Sequence, residues 1–366
     1  MADYSELGIP SPEWARYFQD NPNDVFAKGF VPDIASRPIE YLEELQRTAN
    51  RNQIAAAQAK CKQMGWTESV VKTDLEVKSR STGSIPIRIY KGRDRTATPG
   101  SPLPVYVYYH GGGYMFGTLD GEDANCSYLA NELPILVVNV CYRHTPQYKF
   151  PTQREDALDS YLWTVANISR YGGDPHRIVI GGISAGGGLA AWLTLTESQR
   201  PSVDPGVGQI RGQVLGIPWL IQPSVFPTHL LKSPEVGSYH QCQSAPVLPR
   251  SKMEFFEHSL AEPNPTDDFV DLNEDGLQSL KALPMTAVLV AGMDVLRDEA
   301  LLYSQNLKRV KVPTHVHIFK GLPHGFRRYQ QLPSVAKWNE ATKSAIEWML
   351  DDRKSTEEGE WKSFES

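Results

Sequence analysis

Seven compact runs of β-branched and aromatic residues recur along the chain: "IPIRIYKG", "LPVYVYY", "PILVVNVCY", "RIVIGG", "GQVLGIPWL", "MTAVLVAG" and "THVHIFKG". Several are separated by stretches of helical composition, such as "QREDALDSYLWTVANISRYG" and "AGGGLAAWLTLTESQ". This alternation leaves few architectures open. Parallel strands cannot be joined by a tight turn, so each needs a crossover, and crossover helices cover both faces of the sheet. Apolar runs without strict alternation fit strands buried on both faces. The expected fold class is therefore α/β, a mostly parallel sheet flanked by helices. At 366 residues the chain exceeds the usual single-domain size, yet large α/β folds keep one core over such a length, so one main domain with an appended part is expected.

The departures from this rhythm mark the other segments. Residues 1–70 read as helical, with Pro38 opening the run "IEYLEELQRTANRNQIAAAQAKCKQMG" and Gly65 ending it. From about Gln222 to Ala261 the chain is rich in Pro, Ser and aromatic residues. That stretch is long enough to be an insertion with helices of its own, and with the N-terminal helices it is expected to form a cap. The core then spans 71–350, and residues 351–366 form a charged C-terminal tail expected to fray.

Charge and cysteine usage exclude several classes. With 37 basic and 43 acidic residues the formal charge is −6, which gives no basic field for nucleic acid or anionic lipid. No apolar run approaches the ~20 residues that a bilayer span needs, and the N-terminal stretch has no secretory pattern. Cys61, Cys126, Cys141 and Cys242 are widely spaced without a C-x-x-C pair, which argues against a metal cluster or disulfide scaffold and for reduced thiols in a cytoplasmic protein.

The glycine-rich loop "GGISAGGGLA" follows the apolar run "RIVIGG". It lacks the lysine that a Walker loop brings to phosphate. Gly186, Gly188 and Ala191 fit a dinucleotide pattern, but the loop comes after several strands and no acid follows on the next strand end. A calcium-loop pattern over Asp271, Asn273, Asp275 and Gly276 fails as well, because Ala282 stands where the bidentate glutamate belongs. What remains is Gly182-Ile183-Ser184-Ala185-Gly186, a G-x-S-x-G sequence in strand, turn, helix context. A turn that sharp strains the serine backbone, needs small flanking residues and exposes the hydroxyl as a nucleophile.

Three further pieces follow from that chemistry. "YYHGGGYMF" comes after a strand, and its glycines leave N–H groups free to meet a developing oxyanion, together with the N–H of Ala185. Asp294 lies just past the strand "TAVLV", where an orienting acid belongs; Asp298 and Glu299 compete but fall where the next helix begins, a place favoured for capping and dipole reasons. His324, in "KGLPHGF", follows the final strand and completes the order Ser, Asp, His. Among the other histidines, His315 and His317 lie within a strand and His110 within the glycine motif, positions that suit structural roles. Tyr114, Met115 and Phe116 follow the glycine motif, and Trp219 and Leu220 follow a strand end, so an apolar substrate pocket is expected among them.

With "HGGGY", "YRHTPQYKFP", "GISAGGG", "DVLRDE" and "HGF" in this order, the chain resembles the hormone-sensitive-lipase-like family of α/β-hydrolases over roughly residues 70 to 350. The resemblance implies an eight-stranded sheet with a helical cap, no metal or organic cofactor, a homodimer in many members, and a small-molecule hydrophobic ester as substrate. It also implies Ser184 as nucleophile, His324 as base, Asp294 as acid, and Gly112, Gly113 and Ala185 as oxyanion donors. Two stretches depart from the family pattern. Ile183 stands where the family has Asp or Thr, and "YRHTPQ" replaces Tyr-Arg-Leu-Ala-Pro-Glu, with His144, Thr145 and Gln147. A non-hydrolytic enzyme on the same fold (cyclase, condensation or lyase type) and a ligand-binding receptor stay open as alternatives.

Overall fold

The computed structural model describes residues 3–24, 39–95, 101–200, 208–352 and 360–364; Pro38 lies outside the described residues. Among the described residues nine strands form one sheet: β1 Val70–Lys78, β2 Ser84–Gly92, β3 Leu103–Tyr109, β4 Leu136–Val140, β5 Gly173–Ile183, β6 Ile210–Gly216, β7 Met285–Met293, β8 Thr314–Pro323 and β9 Trp361–Phe364. Their order is β1-β2-β4-β3-β5-β6-β7-β8-β9. β1 and β2 pair antiparallel, as do β2 and β4, and every later pairing is parallel. The strand count exceeds the expected eight because residues 361–364 of the charged tail pair with β8 at the sheet edge.

The central strands are covered on both faces. Every residue of β3, β4 and β7 is buried, which is why their sequences are continuous apolar runs rather than alternating ones. Between β3 and β5 the chain reverses its winding: β3 leads to β4 on one side, and the helix Thr152–Asn167 carries the chain back to β5 on the other. Such a reversal opens a crevice at the carboxyl ends of the flanking strands, where ligands of open α/β sheets bind.

The N-terminal segment and the insertion both reach that end of the sheet. Helix Ile39–Gln63 stops before Gly65, whose φ of 72° is the left-handed conformation that ends a helix. From this helix Gln46 donates to the carbonyls of Met115 and Thr145, at 2.8 and 2.6 Å, and Asn50 accepts from the Gly117 amide at 3.0 Å. Helix Pro12–Asp20 is capped by Ser11, which accepts from the Trp14 amide, and packs Trp14 edge-on and Tyr17 tilted against Tyr329, a few residues past His324. The insertion folds into short helical turns and the helix Arg250–Leu260. Asn273 of the rejected calcium pattern caps the helix Glu274–Leu280, accepting from the Gly276 amide at 2.8 Å.

Candidate active site

Strand register brings the separate motifs together. Tyr109 of β3 pairs with Gly182 of β5, so the glycine loop from His110 and the turn at Ser184 leave the sheet side by side. Met293 of β7 pairs with Pro323 of β8, so the next residues, Asp294 and His324, are also neighbours. Ser184 adopts φ 56° and ψ −122°, the strained conformation expected at a strand-to-helix elbow. Its amide donates to the Gly216 carbonyl at 2.8 Å, and its own carbonyl accepts from Gly188 and Trp219. The flanking glycines are required by contact: a Cβ on Gly182 would fall on the Gly186 carbonyl, and one on Gly186 on the carbonyls of Tyr109 and His110.

Ser184, His324 and Asp294 form one hydrogen-bonded chain. His324 Nε2 lies 2.9 Å from Ser184 Oγ, and His324 Nδ1 lies 2.7 Å from Asp294 Oδ2. The carboxylate can only accept at neutral pH, so Nδ1 carries the proton and Nε2 presents its lone pair to the serine hydroxyl. Asp294 Oδ1 accepts from the Leu296 amide at 3.0 Å, which fixes the carboxylate plane. Asp294 is 1% exposed, whereas Ser184 and His324 each keep 8% of their surface.

Opposite the serine, Gly111 lies so close that an added Cβ would meet Ser184 Cβ at 3.3 Å. Gly112, at φ 126°, and Gly113, at φ 62°, carry the chain through conformations that favour glycine. Gly112 uses its carbonyl to accept from Met115 and Phe116. Ala185 is the first residue of the helix Ala185–Ser198, so its amide has no intrahelical acceptor and sits at the positive end of the helix dipole.

The five predicted lining residues separate. Tyr114, Trp219 and Leu220 line one cleft with Phe150, Arg154 and Trp192. Met115 does not line it; it is fully buried, with its carbonyl bound to Gln46. Phe116 is also absent from that cleft and packs edge-on against Phe256 of the insertion at 6.1 Å. The cleft is less apolar than expected, since Arg154 and Glu262 form a 3.3 Å ion pair on its wall. Phe256 lies over Gly113, and Val247 approaches Gly325, the residue after His324.

Two acids expected to serve helix capping do other work. Asp298 is buried, pairs with Arg297 at 2.7 Å and accepts from the Ser238 amide at 2.7 Å, which ties the insertion to the helix Arg297–Arg309 that follows Asp294. Glu299 accepts from the Leu220 amide at 2.7 Å and lies 3.1 Å from the Tyr239 hydroxyl. Burial pushes the Glu299 carboxyl well above the usual range. Its folded-state pKa is therefore raised, so its stabilising effect is complete below the unfolded carboxylate value of ~4.3 and is lost as pH rises through the folded value. Glu299→Gln keeps the shape and both contacts without an ionisable proton. Its melting temperature relative to the parent should rise steadily from acidic to alkaline pH, and a difference that stays flat across thermal melts would refute this. His110 has its imidazole pKa lowered by burial, stacks on Tyr142 at 4.5 Å and stays away from the serine. His315 stacks on Trp348 at 3.7 Å.

No helix among the described residues is long and apolar enough to cross a membrane. Comparison with known proteins identifies the fold and the family. A model of the alpha/beta hydrolase fold matches residues 106–328. A versiconal hemiacetal acetate esterase of Dothistroma septosporum is 32% identical over 77% of this chain and 83% of its own length. A solved esterase of Pyrobaculum calidifontis is 27% identical, with a TM-score of 0.69 over 93% of this chain and 100% of its own. The crystal structure of vibralactone cyclase has a TM-score of 0.79 over 94% of this chain and 96% of its own, at 22% identity, a likeness of fold alone. From the match of motif, fold and sequence, the chain belongs to the α/β-hydrolase-fold family, in its hormone-sensitive-lipase-like carboxylesterase branch.

Proposed function

We propose that this protein is a serine hydrolase that cleaves carboxylic esters of small to medium hydrophobic substrates through an acyl-enzyme. The observation that carries this reading is the continuous chain from Ser184 Oγ to His324 to Asp294, at 2.9 and 2.7 Å. Ser184 Oγ attacks the ester carbonyl as His324 Nε2 takes its proton. Negative charge then develops on the carbonyl oxygen, which the amides of Gly112, Gly113 and Ala185 receive. Collapse of the tetrahedral species expels the alcohol with the proton from His324, and water releases the acid by the reverse route. Asp294 holds the imidazole tautomer and stabilises its cation throughout.

In this reading residues 1–70 and the insertion at about 222–261 act as a cap on the core of 71–350. The contacts of Gln46, Val247 and Phe256 above the glycine loop and His324 support it. Tyr114, Trp219 and Leu220 are assigned to substrate binding; the cleft they share is not lined by Ser184 or His324, and Gly188 of the nucleophile's helix is its nearest link to them, while Phe116 packs on Phe256 over Gly113. The name of the acetate esterase relative also favours a short acyl group. Hydrolysis of p-nitrophenyl esters of increasing chain length tests the proposal. Turnover is expected to be highest for short acyl chains and to fall sharply for long ones. Absence of turnover on every ester would overturn hydrolysis and direct attention to rearranged, non-hydrolytic products.

A further inference from the structure

At the ends of two neighbouring strands, three residues converge. One ligand atom from each of His110, Cys141 and His144 lies within 4.8 Å of the others. His110 directly follows β3, and Cys141 directly follows β4. Among the described residues the acceptor at His110 Nδ1 is the Gly111 carbonyl at 2.8 Å, so Nδ1 carries the proton and Nε2 is left with a lone pair. Nε2 of His110 and Nε2 of His144 are both buried without a hydrogen-bond partner. Tyr142 holds both rings in place, stacked on His110 and edge-on to His144 at 5.2 Å. Buried polar atoms are almost always paired, so two orphaned imidazole nitrogens beside one thiol ask for a common partner.

We propose that His110, Cys141 and His144 form a binding site for a borderline-soft closed-shell cation, Zn²⁺ in the first instance. Two imidazoles and a thiolate are the donors such an ion prefers over carboxylate-binding magnesium or calcium. Bonds of about 2.0–2.3 Å place three ligands around an ion roughly 3.5–4 Å apart, so side-chain shifts of about an ångström close the cluster. On binding, the Cys141 thiol releases its proton to solvent and the thiolate donates its electron pair to the ion; water completes the fourth position. The ion would tie the end of β4 to the end of β3, from which the oxyanion loop springs, and so act as a strut for that loop rather than as a reagent. The site does not depend on the hydrolase reading.

Titration of chelator-treated protein with Co²⁺, followed by Zn²⁺ displacement, tests the site. The expected result is thiolate-to-cobalt charge-transfer absorption saturating at a single ion per chain and abolished by Zn²⁺. Cys141→Ser should remove that absorption, and His144→Leu should weaken binding roughly tenfold or more, with circular dichroism melts of both metal-free variants establishing that they fold. Absence of charge-transfer absorption in the parent would overturn the proposal. So would its persistence in Cys141→Ser, which would assign it to Cys61, Cys126 or Cys242.

Discussion

Ser184→Ala is expected to lower ester turnover by a factor on the order of 10⁶ while the protein folds as before. The substitution deletes one oxygen whose hydrogen bond, among the described residues, is to His324. Nothing that positions the elbow is touched, because its amide and carbonyl are held by Gly216, Gly188 and Trp219 through backbone bonds. The backbone strain at φ 56° also remains, at a cost of about 1–3 kcal/mol that serine and alanine share. Stability and catalysis therefore separate in this variant. What rate survives comes from the oxyanion donors and from substrate binding, which alone give roughly 10³–10⁴-fold over water. Steady-state hydrolysis of p-nitrophenyl acetate, with thermal melts of both proteins, measures the two effects together. Turnover within tenfold of the parent would remove Ser184 as the nucleophile.

Much of this arrangement was legible in the sequence because each residue proposed for the triad sits immediately past a strand end. Ser184, Asp294 and His324 are single residues beyond β5, β7 and β8, and apolar runs mark where those strands stop. Signals that depend on long-range packing were not legible. β1 carries Lys72, Thr73, Asp74 and Glu76 on a half-exposed edge, so it lacks the compact apolar signature of the central strands. β9 joins the sheet through backbone bonds, with Trp361, Lys362 and Ser363 exposed and Phe364 stacked on Phe319 at 5.0 Å, so one aromatic in a charged tail is all that marks it in the sequence. The same limit applies near the site. Gln46 braces the loop after the glycine motif from a helix far away in sequence. Asp298 and Glu299 fall in the first turn of the helix Arg297–Arg309, where charge alone suggests capping. Only their packing shows that they hold the insertion and the Leu220 amide.

Asp294→Asn is expected to lower kcat/KM by about 10⁴-fold with little change in fold, through the wrong tautomer rather than lost packing. The Leu296 amide donates to Oδ1 of Asp294 at 3.0 Å, so an asparagine would keep its carbonyl oxygen there and turn its NH₂ toward His324 Nδ1. That nitrogen would then have to accept, which moves the imidazole proton to Nε2. A proton on Nε2 faces Ser184 Oγ across the 2.9 Å contact and cannot receive the one the serine must lose. Glu299→Gln supplies the internal comparison, since Glu299 is buried in the same motif but bonds to Leu220 and Tyr239, not to the histidine. Kinetics of the two variants on one ester therefore distinguish orientation of the imidazole from general support of the motif. A large loss confined to Asp294→Asn is the expected pattern, and equal losses in both variants would take the orienting role away from Asp294.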